Sequence, residues 1–257
     1  MTVRAPSPAE NCRSRGHSLV SGGRRLAARA VFAALALGLA APAYAEVGAS
    51  LSLQSDYRFR GISLSGDRPV LDVAASYDHA SGAYIGASVV GVATAHSGFR
   101  ILSFQEYAGY ARRLNTGLTA DVGLTHSNYS EYYVGRSETD YGEIYAGLIT
   151  RHLSTHLYYS PRYFGYPLQT LYGEVEGVIQ PARDWRLTGR LGLLTALNGS
   201  RRPGLQRTLY DWRIGLATQF KGLNLQLAVT GVGPDTDRDG ADRHSREALV
   251  FGVTKAF

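Results

Sequence analysis

The stretch EVGASLSLQSDYRFR, residues 46–60, alternates apolar with small, polar or charged residues. Its apolar positions are Val47, Ala49, Leu51, Leu53, Tyr57 and Phe59, and its last charged positions are Asp56, Arg58 and Arg60. Successive side chains of a strand point to opposite faces. The pattern therefore predicts one strand over residues 46–60, with Tyr57 and Phe59 facing an apolar medium and the three charges facing a wet interior.

The residues before this strand have the composition of an export signal. Six arginines precede the apolar run AVFAALALGLAA, and AYA stands immediately before Glu46. A basic region, a short apolar region and a small-x-small site are typical of a secretory signal peptide. The sequence thus predicts a signal peptide over residues 1–45, cleaved after Ala45, and a barrel domain over residues 46–257.

The charge balance changes once this leader is set aside. Six of the 27 basic residues but only one of the 21 acidic residues lie before Glu46, which leaves 21 basic and 20 acidic residues. No basic patch remains to bind nucleic acid. The single cysteine, Cys12, also lies in the leader, so disulfides, thiolate metal sites and a cysteine nucleophile are not expected in the exported chain.

The same alternation recurs along the exported chain and predicts twelve strands. They cover residues 46–60, 69–78, 83–93, 99–112, 117–129, 139–151, 154–162, 169–179, 185–197, 207–220, 222–232 and 246–257. Tight connections alternate with longer, more polar ones. An even number of strands with short turns at one end and long loops at the other is typical of outer-membrane barrels. The predicted fold class is all-β: a transmembrane antiparallel up-and-down barrel of about twelve strands.

A soluble barrel would show similar alternation with its apolar face turned inward. Long strands and tyrosines near strand ends favour the membrane barrel, because interface girdles are aromatic. These tyrosines are Tyr57, Tyr77, Tyr84, Tyr129, Tyr132, Tyr133, Tyr158 and Tyr159. The C-terminal residues Leu249, Phe251, Val253 and Phe257 share one face of the last strand and resemble the signal that hands such proteins to the barrel assembly machinery.

Several blocks of the sequence resemble a known family, the TorF family of porin-like proteobacterial proteins. They are SDYRFRGISLSGDRPVLDVAASYDHASGAYIGASV (residues 55–89), EIYAGL (143–148), LYYSPRYFG (157–165), YDWRIGLA (210–217) and FGVTKAF (251–257). The resemblance covers essentially all of the exported chain. It implies an outer-membrane barrel with pore activity in a Gram-negative bacterium, and it supplies neither a substrate nor catalytic residues.

The polar face of the predicted strands carries both signs of charge. The predicted pore-lining residues are Asp56, Arg58, Arg60, Asp72, Glu106, Asp121, Glu143, Glu174, Glu176, Arg186, Arg190, Asp211 and Arg213. Rings of opposed charges can tune permeation, and the same residues could instead pair across the lumen and fill it. Twelve strands enclose a width between that of a filled eight-stranded barrel and that of an open porin. Both interpretations therefore stay open.

Two further motifs suggest other chemistry. Asp235, Asp237 and Asp239 have the spacing of a calcium loop with glycine at the sixth position, but the bidentate acid at the twelfth position is missing. His126 lies beside Ser127 and Asn128 near a strand end, which raises a lipid-modifying enzyme of the outer membrane as an alternative. Adjacent strand residues face opposite ways, so His126 and Ser127 are not expected to pair.

The sequence therefore predicts a non-enzymatic channel for passive, weakly selective diffusion of small hydrophilic solutes, without cofactors. Its expected partners are outer-membrane lipid, lipopolysaccharide, the barrel assembly machinery and the solutes themselves. The alternatives are the lipid-modifying enzyme and a closed barrel with a structural or surface-interaction role.

Overall fold

Twelve antiparallel strands close into a β-barrel in the computed structural model of the chain, which describes residues 45–94, 98–130, 139–198, 208–233 and 246–257. The strands are β1 (Ala45–Gln54), β2 (Arg58–Phe59), β3 (Ile62–Ser63), β4 (Val70–His79), β5 (Ala83–Thr94), β6 (Gly98–Arg113), β7 (Thr119–Tyr129), β8 (Thr139–Ile149), β9 (Leu153–Ser160), β10 (Thr170–Ala182), β11 (Trp185–Ala196), β12 (Thr208–Phe220), β13 (Leu223–Gly233) and β14 (Glu247–Ala256). The short strands β2 and β3 pair only with each other, and the other twelve form the wall. The wall confirms the predicted strand number and fold class.

The barrel closes between its first and last strands. β1 pairs with β4 on one side and with β14 on the other, where Leu53 lies opposite Val253. Each remaining wall strand pairs antiparallel with its neighbours in the sequence. Closure gives every wall strand a hydrogen-bonded neighbour on both sides. A sheet without free edges can lie in hydrocarbon.

The apolar side chains point outward. Leu191 on β11 is 68% exposed, and Ile144 and Leu249 are also exposed on their strands. The opposite positions of the same strands carry small and polar residues, such as Ser52, whose hydroxyl bonds that of Thr254 across the seam at 2.9 Å. A soluble barrel would have the reverse arrangement. The exposed apolar wall is what a bilayer requires.

The first strand is shorter than the sequence predicts, and this corrects the interpretation of residues 55–60. β1 ends at Gln54, and the chain then turns into the lumen as the hairpin β2–β3. Tyr57 and Phe59, predicted to face lipid, instead pack against buried residues inside the barrel. We refer to residues 55–69 as the inner hairpin.

The turn of the inner hairpin explains why the strand does not continue. Arg60 and Gly61 both have positive φ, 50° and 79°. Two such residues between paired strands form the turn type whose twist matches a β-hairpin. Phe59 and Ile62 pair directly across it. The alternation of residues 57–60 therefore belongs to a hairpin arm and its turn, although its period is that of a wall strand.

Among the described residues, no helix is long and apolar enough to cross a membrane. A single 3-10 turn, Tyr163–Gly165, lies between β9 and β10. The predicted signal peptide lies outside the described residues except for Ala45, which opens β1.

Candidate functional site

Asp56 holds the inner hairpin together. Its Oδ1 accepts hydrogen bonds from the hydroxyls of Ser63 and Ser65 at 2.6 and 2.7 Å, and its Oδ2 accepts one from Arg58 Nε at 2.5 Å. Arg58 also donates to the carbonyl of Gly61 at 2.8 Å. Because Asp56 is only 5% exposed, one buried carboxylate joins both arms of the hairpin.

Apolar contacts fix the inner hairpin against the wall. Leu64 belongs to a buried cluster of wall residues, against which Tyr57, Phe59 and Ile62 pack. The other members of that cluster are Val70, Val90, Val92, Leu102, Tyr129 and Tyr141. Phe164, from the 3-10 turn, stacks on Tyr141 with ring centroids 4.7 Å apart. The inner hairpin and the connection between β9 and β10 therefore both pack into this end of the lumen.

Arg60, at the tip of the hairpin, reaches across to the far wall. Its NH2 group donates to both carboxylate oxygens of Glu143 at 2.8 Å, and its NH1 group donates to Tyr141 Oη at 2.7 Å. The guanidinium carbon lies 3.7 Å from the ring centroid of Tyr172 and 5.6 Å from that of Tyr158. We call Glu143, Tyr141, Tyr158 and Tyr172 the guanidinium cage.

The guanidinium cage keeps Arg60 charged in spite of its burial. Removal from water alone would lower the pKa of Arg60, but the Glu143 carboxylate and the hydroxyl of Tyr141 more than reverse this and raise it above its ordinary value. Arg60 is 8% exposed and Glu143 is 6% exposed. The hairpin tip is therefore joined to the wall by a buried ion pair, in which loss of either partner would leave an isolated buried charge.

Tyrosines continue from the cage along the inner wall. Tyr158 and Tyr172 are followed by Tyr145 on β8, Tyr84 on β5 and Tyr107 on β6, with Tyr145 and Tyr158 centroids 5.4 Å apart. Several of these rings lie over glycines. A Cβ atom on Gly109 would lie 2.3 Å from the hydroxyl oxygen of Tyr84, and a Cβ atom on Gly192 would lie 2.1 Å from that of Tyr172. Because these glycines have no side chain, the tyrosine rings can lie along the wall.

The hydroxyls of these tyrosines bind inward carboxylates. Tyr84 donates to Asp121 at 2.6 Å, and the hydroxyls of Tyr84 and Tyr145 hydrogen-bond each other. Tyr158 donates to Glu174 at 3.2 Å, and Tyr172 donates to Asp211 at 3.0 Å. His156 Nε2 lies 3.4 Å from Asp121 Oδ2. The wall from β5 to β10 thus combines ring faces with negative charge.

The predicted girdle tyrosines therefore divide between the two faces. Tyr77 and Tyr159 lie outward, opposite Val47 and Ile144 respectively. Tyr57, Tyr84, Tyr129 and Tyr158 lie inside, so their assignment to the membrane interface is wrong. Tyr132 and Tyr133 lie outside the described residues. The facing of each tyrosine follows from the strand register, which the composition of the sequence does not show.

Twelve of the thirteen predicted pore-lining residues lie inside the barrel. Asp56, Arg58 and Arg60 do so on the inner hairpin. Those on the wall are Asp72, Asp121, Glu143, Glu174, Glu176, Arg186, Arg190, Asp211 and Arg213. Arg190 NH2 bonds Asp211 Oδ1 at 3.2 Å, and Arg213 lies opposite Arg190 in the register. The predicted basic residues of the wall thus all lie on β11 and β12.

Glu106 is the exception, because its predicted position inside the barrel is wrong. The register between β5 and β6 shifts between Val90 and Gly91, where Leu102 has no partner. Such a bulge moves all following side chains to the other face. Glu106 consequently points outward, between Phe104 and Ala108 on the same face of β6.

On this outer face Glu106 meets His126. His126 Nδ1 lies 3.2 Å from Glu106 Oε1, and its Nε2 lies 3.9 Å from Asp140 Oδ1. Ser127 points inward and is 3% exposed, as strand alternation predicts, so it cannot act with His126. With a carboxylate beside each ring nitrogen and no serine from the same strand on its face, His126 lacks the geometry of a general base beside a nucleophile.

The outward position of Glu106 and His126 can be tested through the stability of the barrel. Replacing both Glu106 and His126 with leucine should leave the stability of the barrel unchanged or raise it by about 1 to 4 kcal/mol, because apolar residues often replace a partly desolvated pair of polar side chains without loss. Urea unfolding of barrels folded into lipid vesicles measures this. A loss of stability as large as that of an Arg60→Ala variant would contradict the outward placement.

The remaining predicted sites have different outcomes. Leu249, Phe251, Val253 and Phe257 lie on the outer face of the C-terminal segment, opposite outward residues of β13 and β1 or beyond them. Asp235, Asp237 and Asp239 lie outside the described residues. Within the ranges that the structure describes, no group of three or more His, Cys, Asp or Glu residues is placed to hold a metal ion.

A closed twelve-stranded barrel with an apolar outer wall and a polar interior has the architecture of transmembrane β-barrels of the outer-membrane type. A family model described as "Bacterial protein of unknown function (Gcw_chp)" matches residues 39–257. The chain belongs to this family. No curated protein matches the chain.

Solved structures show the same fold at low sequence identity. The NanC porin superposes with a TM-score of 0.53 at 12% identity, over 82% of this chain and 98% of that porin. The KdgM porin superposes with a TM-score of 0.51 at 15% identity, over 82% of this chain and 99% of the other. These similarities establish a shared barrel architecture.

Proposed function

We propose that the protein is a porin-like channel of the outer membrane that passes small hydrophilic solutes by passive diffusion. The observation that carries this proposal is the segregation of the wall, with exposed leucines outside and charged or hydroxylated side chains inside. A polar interior in an apolar cylinder is what water-filled conduction requires. The resemblance to the TorF family of porin-like proteins supports the same proposal.

The inner hairpin would set the narrowest part of this channel. Arg60 bridges from the β2–β3 turn to Glu143 on β8. The predicted inward charges would line the path, with Arg186, Arg190 and Arg213 on β11 and β12 and Asp121, Glu143 and Glu174 on β7, β8 and β10. A lumen that carries both signs of charge would give weak selectivity. We expect a conductance well below that of barrels of about sixteen strands, because width grows with strand number.

Planar-bilayer recording of the refolded protein tests the proposal. The native protein should give discrete channels, and the double variant Arg186→Gln/Arg213→Gln should shift the reversal potential in a salt gradient toward cation preference, since two inward positive charges are removed. Glu106→Gln is the matched control, because Glu106 points outward. Complete absence of channels from correctly folded protein would reject the proposal.

Export and assembly belong to the same proposal. Cleavage after Ala45 would place β1 at the start of the mature chain, and the outward face of β14 would present Leu249, Phe251, Val253 and Phe257 to the barrel assembly machinery. Mass spectrometry of protein from outer-membrane fractions would detect the new N-terminus at Glu46.

A closed structural barrel is the second candidate, and the filled lumen end favours it. The inner hairpin and the 3-10 turn both pack on Tyr141. In that case, folded protein would show no conductance, and deletion of the gene would leave solute uptake unchanged.

A further inference from the structure

The guanidinium cage has the features of a ligand site. Glu143 supplies two carboxylate oxygens, Tyr141 supplies a hydroxyl, and the ring of Tyr172 supplies a flat face 3.7 Å from the guanidinium carbon. We propose that this cage binds solutes that carry a guanidinium group, and that Arg60 is its built-in occupant, which such a solute displaces within the lumen. The inference rests on the proposed channel function for its physiological meaning.

The cage belongs to the wall and not to the inner hairpin. Tyr141 and Glu143 lie on β8, where the ladder to β7 includes both residues, and Tyr158 on β9 pairs directly with Tyr172 on β10. The guanidinium that occupies it comes from the hairpin. The cage would therefore keep its shape when Arg60 swings away. A vacated cage would contain a buried carboxylate without a counter-charge, which is unfavourable until another cation enters.

The geometry suits a planar cation better than a spherical one. One guanidinium nitrogen of Arg60 contacts both oxygens of Glu143, a second nitrogen contacts Tyr141, and the guanidinium carbon lies over the ring of Tyr172. An ammonium group can make the hydrogen bonds, but it has no flat face to stack on the ring. Anions are disfavoured by Glu143 and by the negative ring faces.

Carboxylates continue along the wall beyond the cage. The hydroxyl of Tyr172 bonds Asp211, and the hydroxyl of Tyr158 bonds Glu174. Of the arginines on the adjacent strand β11, Arg190 is paired with Asp211. A cation that leaves the cage thus meets further ring faces and acidic groups, as a path for cationic solutes requires.

The conformation of Arg60 also marks it as unusual. Its φ of 50° lies in the left-handed region, which costs a residue other than glycine about 1 kcal/mol or more. Strained residues that persist in a structure are frequently part of functional sites. Asparagine or glycine would satisfy this turn at lower cost, so arginine at position 60 is explained by its side chain.

Chemical rescue of an Arg60→Ala variant tests the proposal. The variant should conduct more than the native protein, and millimolar methylguanidinium should bring its current back toward the native level. Urea, which is planar but neutral, should have no effect, and methylammonium should act only at higher concentration. In the native protein the tethered Arg60 competes at an effective concentration of about millimolar or above, so more methylguanidinium should be needed to perturb the current.

Two further variants make the result specific. Arg68→Ala removes an exposed arginine of the same segment and should behave as the native protein does. Arg60→Ala/Glu143→Gln keeps the shape of the cage but removes its charge, and methylguanidinium should no longer block it. If Arg60→Ala conducts and methylguanidinium acts no more strongly than urea, the inference is overturned while the channel proposal stands.

A binding measurement in detergent covers the case in which no variant conducts. Methylguanidinium should then raise the temperature at which the folded Arg60→Ala barrel loses its compact gel mobility, and it should not do so for Arg60→Ala/Glu143→Gln. That result would keep the cage as a guanidinium site in a barrel that is not a channel. Equal midpoints with and without methylguanidinium would overturn the inference.

Discussion

An Asp56→Ala variant is expected to release the inner hairpin and expose it to trypsin. The substitution removes the acceptor for Ser63 and Ser65 and the buried one of the two carboxylates that pair with Arg58. Removing one partner of a buried ion pair costs about 3 to 5 kcal/mol, and this substitution also removes the link between the two arms of the hairpin. Fragments that begin at Phe59 or Gly61 should then appear in mass spectra of trypsin-treated protein.

The native hairpin should resist this cleavage. The side chain of Arg58 is 3% exposed and Arg60 is buried in the guanidinium cage, so neither can enter a protease site. Asp67→Asn is the matched control, because it alters a carboxylate at the exposed end of the same network and keeps a residue that tolerates positive φ. Equal resistance of Asp56→Ala and native protein would show that Asp56 does not hold the hairpin.

The sequence predicted the wall accurately for a physical reason. Hydrocarbon on one side and water on the other impose alternation on every strand, so each wall strand can be identified in the sequence by itself. The predicted strands at 222–232 and 246–257, for example, differ from Leu223–Gly233 and Glu247–Ala256 by one residue at each end. The outward C-terminal apolar residues follow from the same period.

The predictions are wrong where the alternation of apolar and polar residues continues beyond the end of a wall strand, or where a bulge interrupts it within a strand. Residues 57–60 keep the period of two because a hairpin arm also has it, and only the glycines and serines at 61–66 indicate a turn. Glu106 lies beyond the bulge at Leu102, which leaves no mark in the composition of β6. The guanidinium cage depends on strand register and on a loop folded inward, so its four wall residues could not be grouped from the sequence.

Gly82 offers the prediction with the largest expected effect on the wall itself. It ends the turn between β4 and β5 with φ of 97°, where its amide donates to the carbonyl of His79 at 2.8 Å. A Cβ atom there would lie 2.1 Å from the carbonyl oxygen of Ala111. That oxygen cannot withdraw easily, because the amide of Ala111 donates to the carbonyl of Gly82 at 2.8 Å. Gly82→Ala should therefore cost about 2 to 5 kcal/mol, from backbone strain and overpacking together.

Substitutions at two other glycines separate the cost of backbone strain from the cost of overpacking. Gly98 also has positive φ, 68°, but in the described part of the chain nothing lies within 4 Å of an added Cβ atom. Gly98→Ala should thus show the strain alone, about 1 to 2 kcal/mol. Gly117 has neither positive φ nor a described neighbour within 4 Å, so Gly117→Ala should be neutral or slightly stabilising. Urea unfolding in lipid vesicles should order the three variants in this way, and a Gly82→Ala barrel as stable as Gly117→Ala would show that the contact with Ala111 does not constrain the turn.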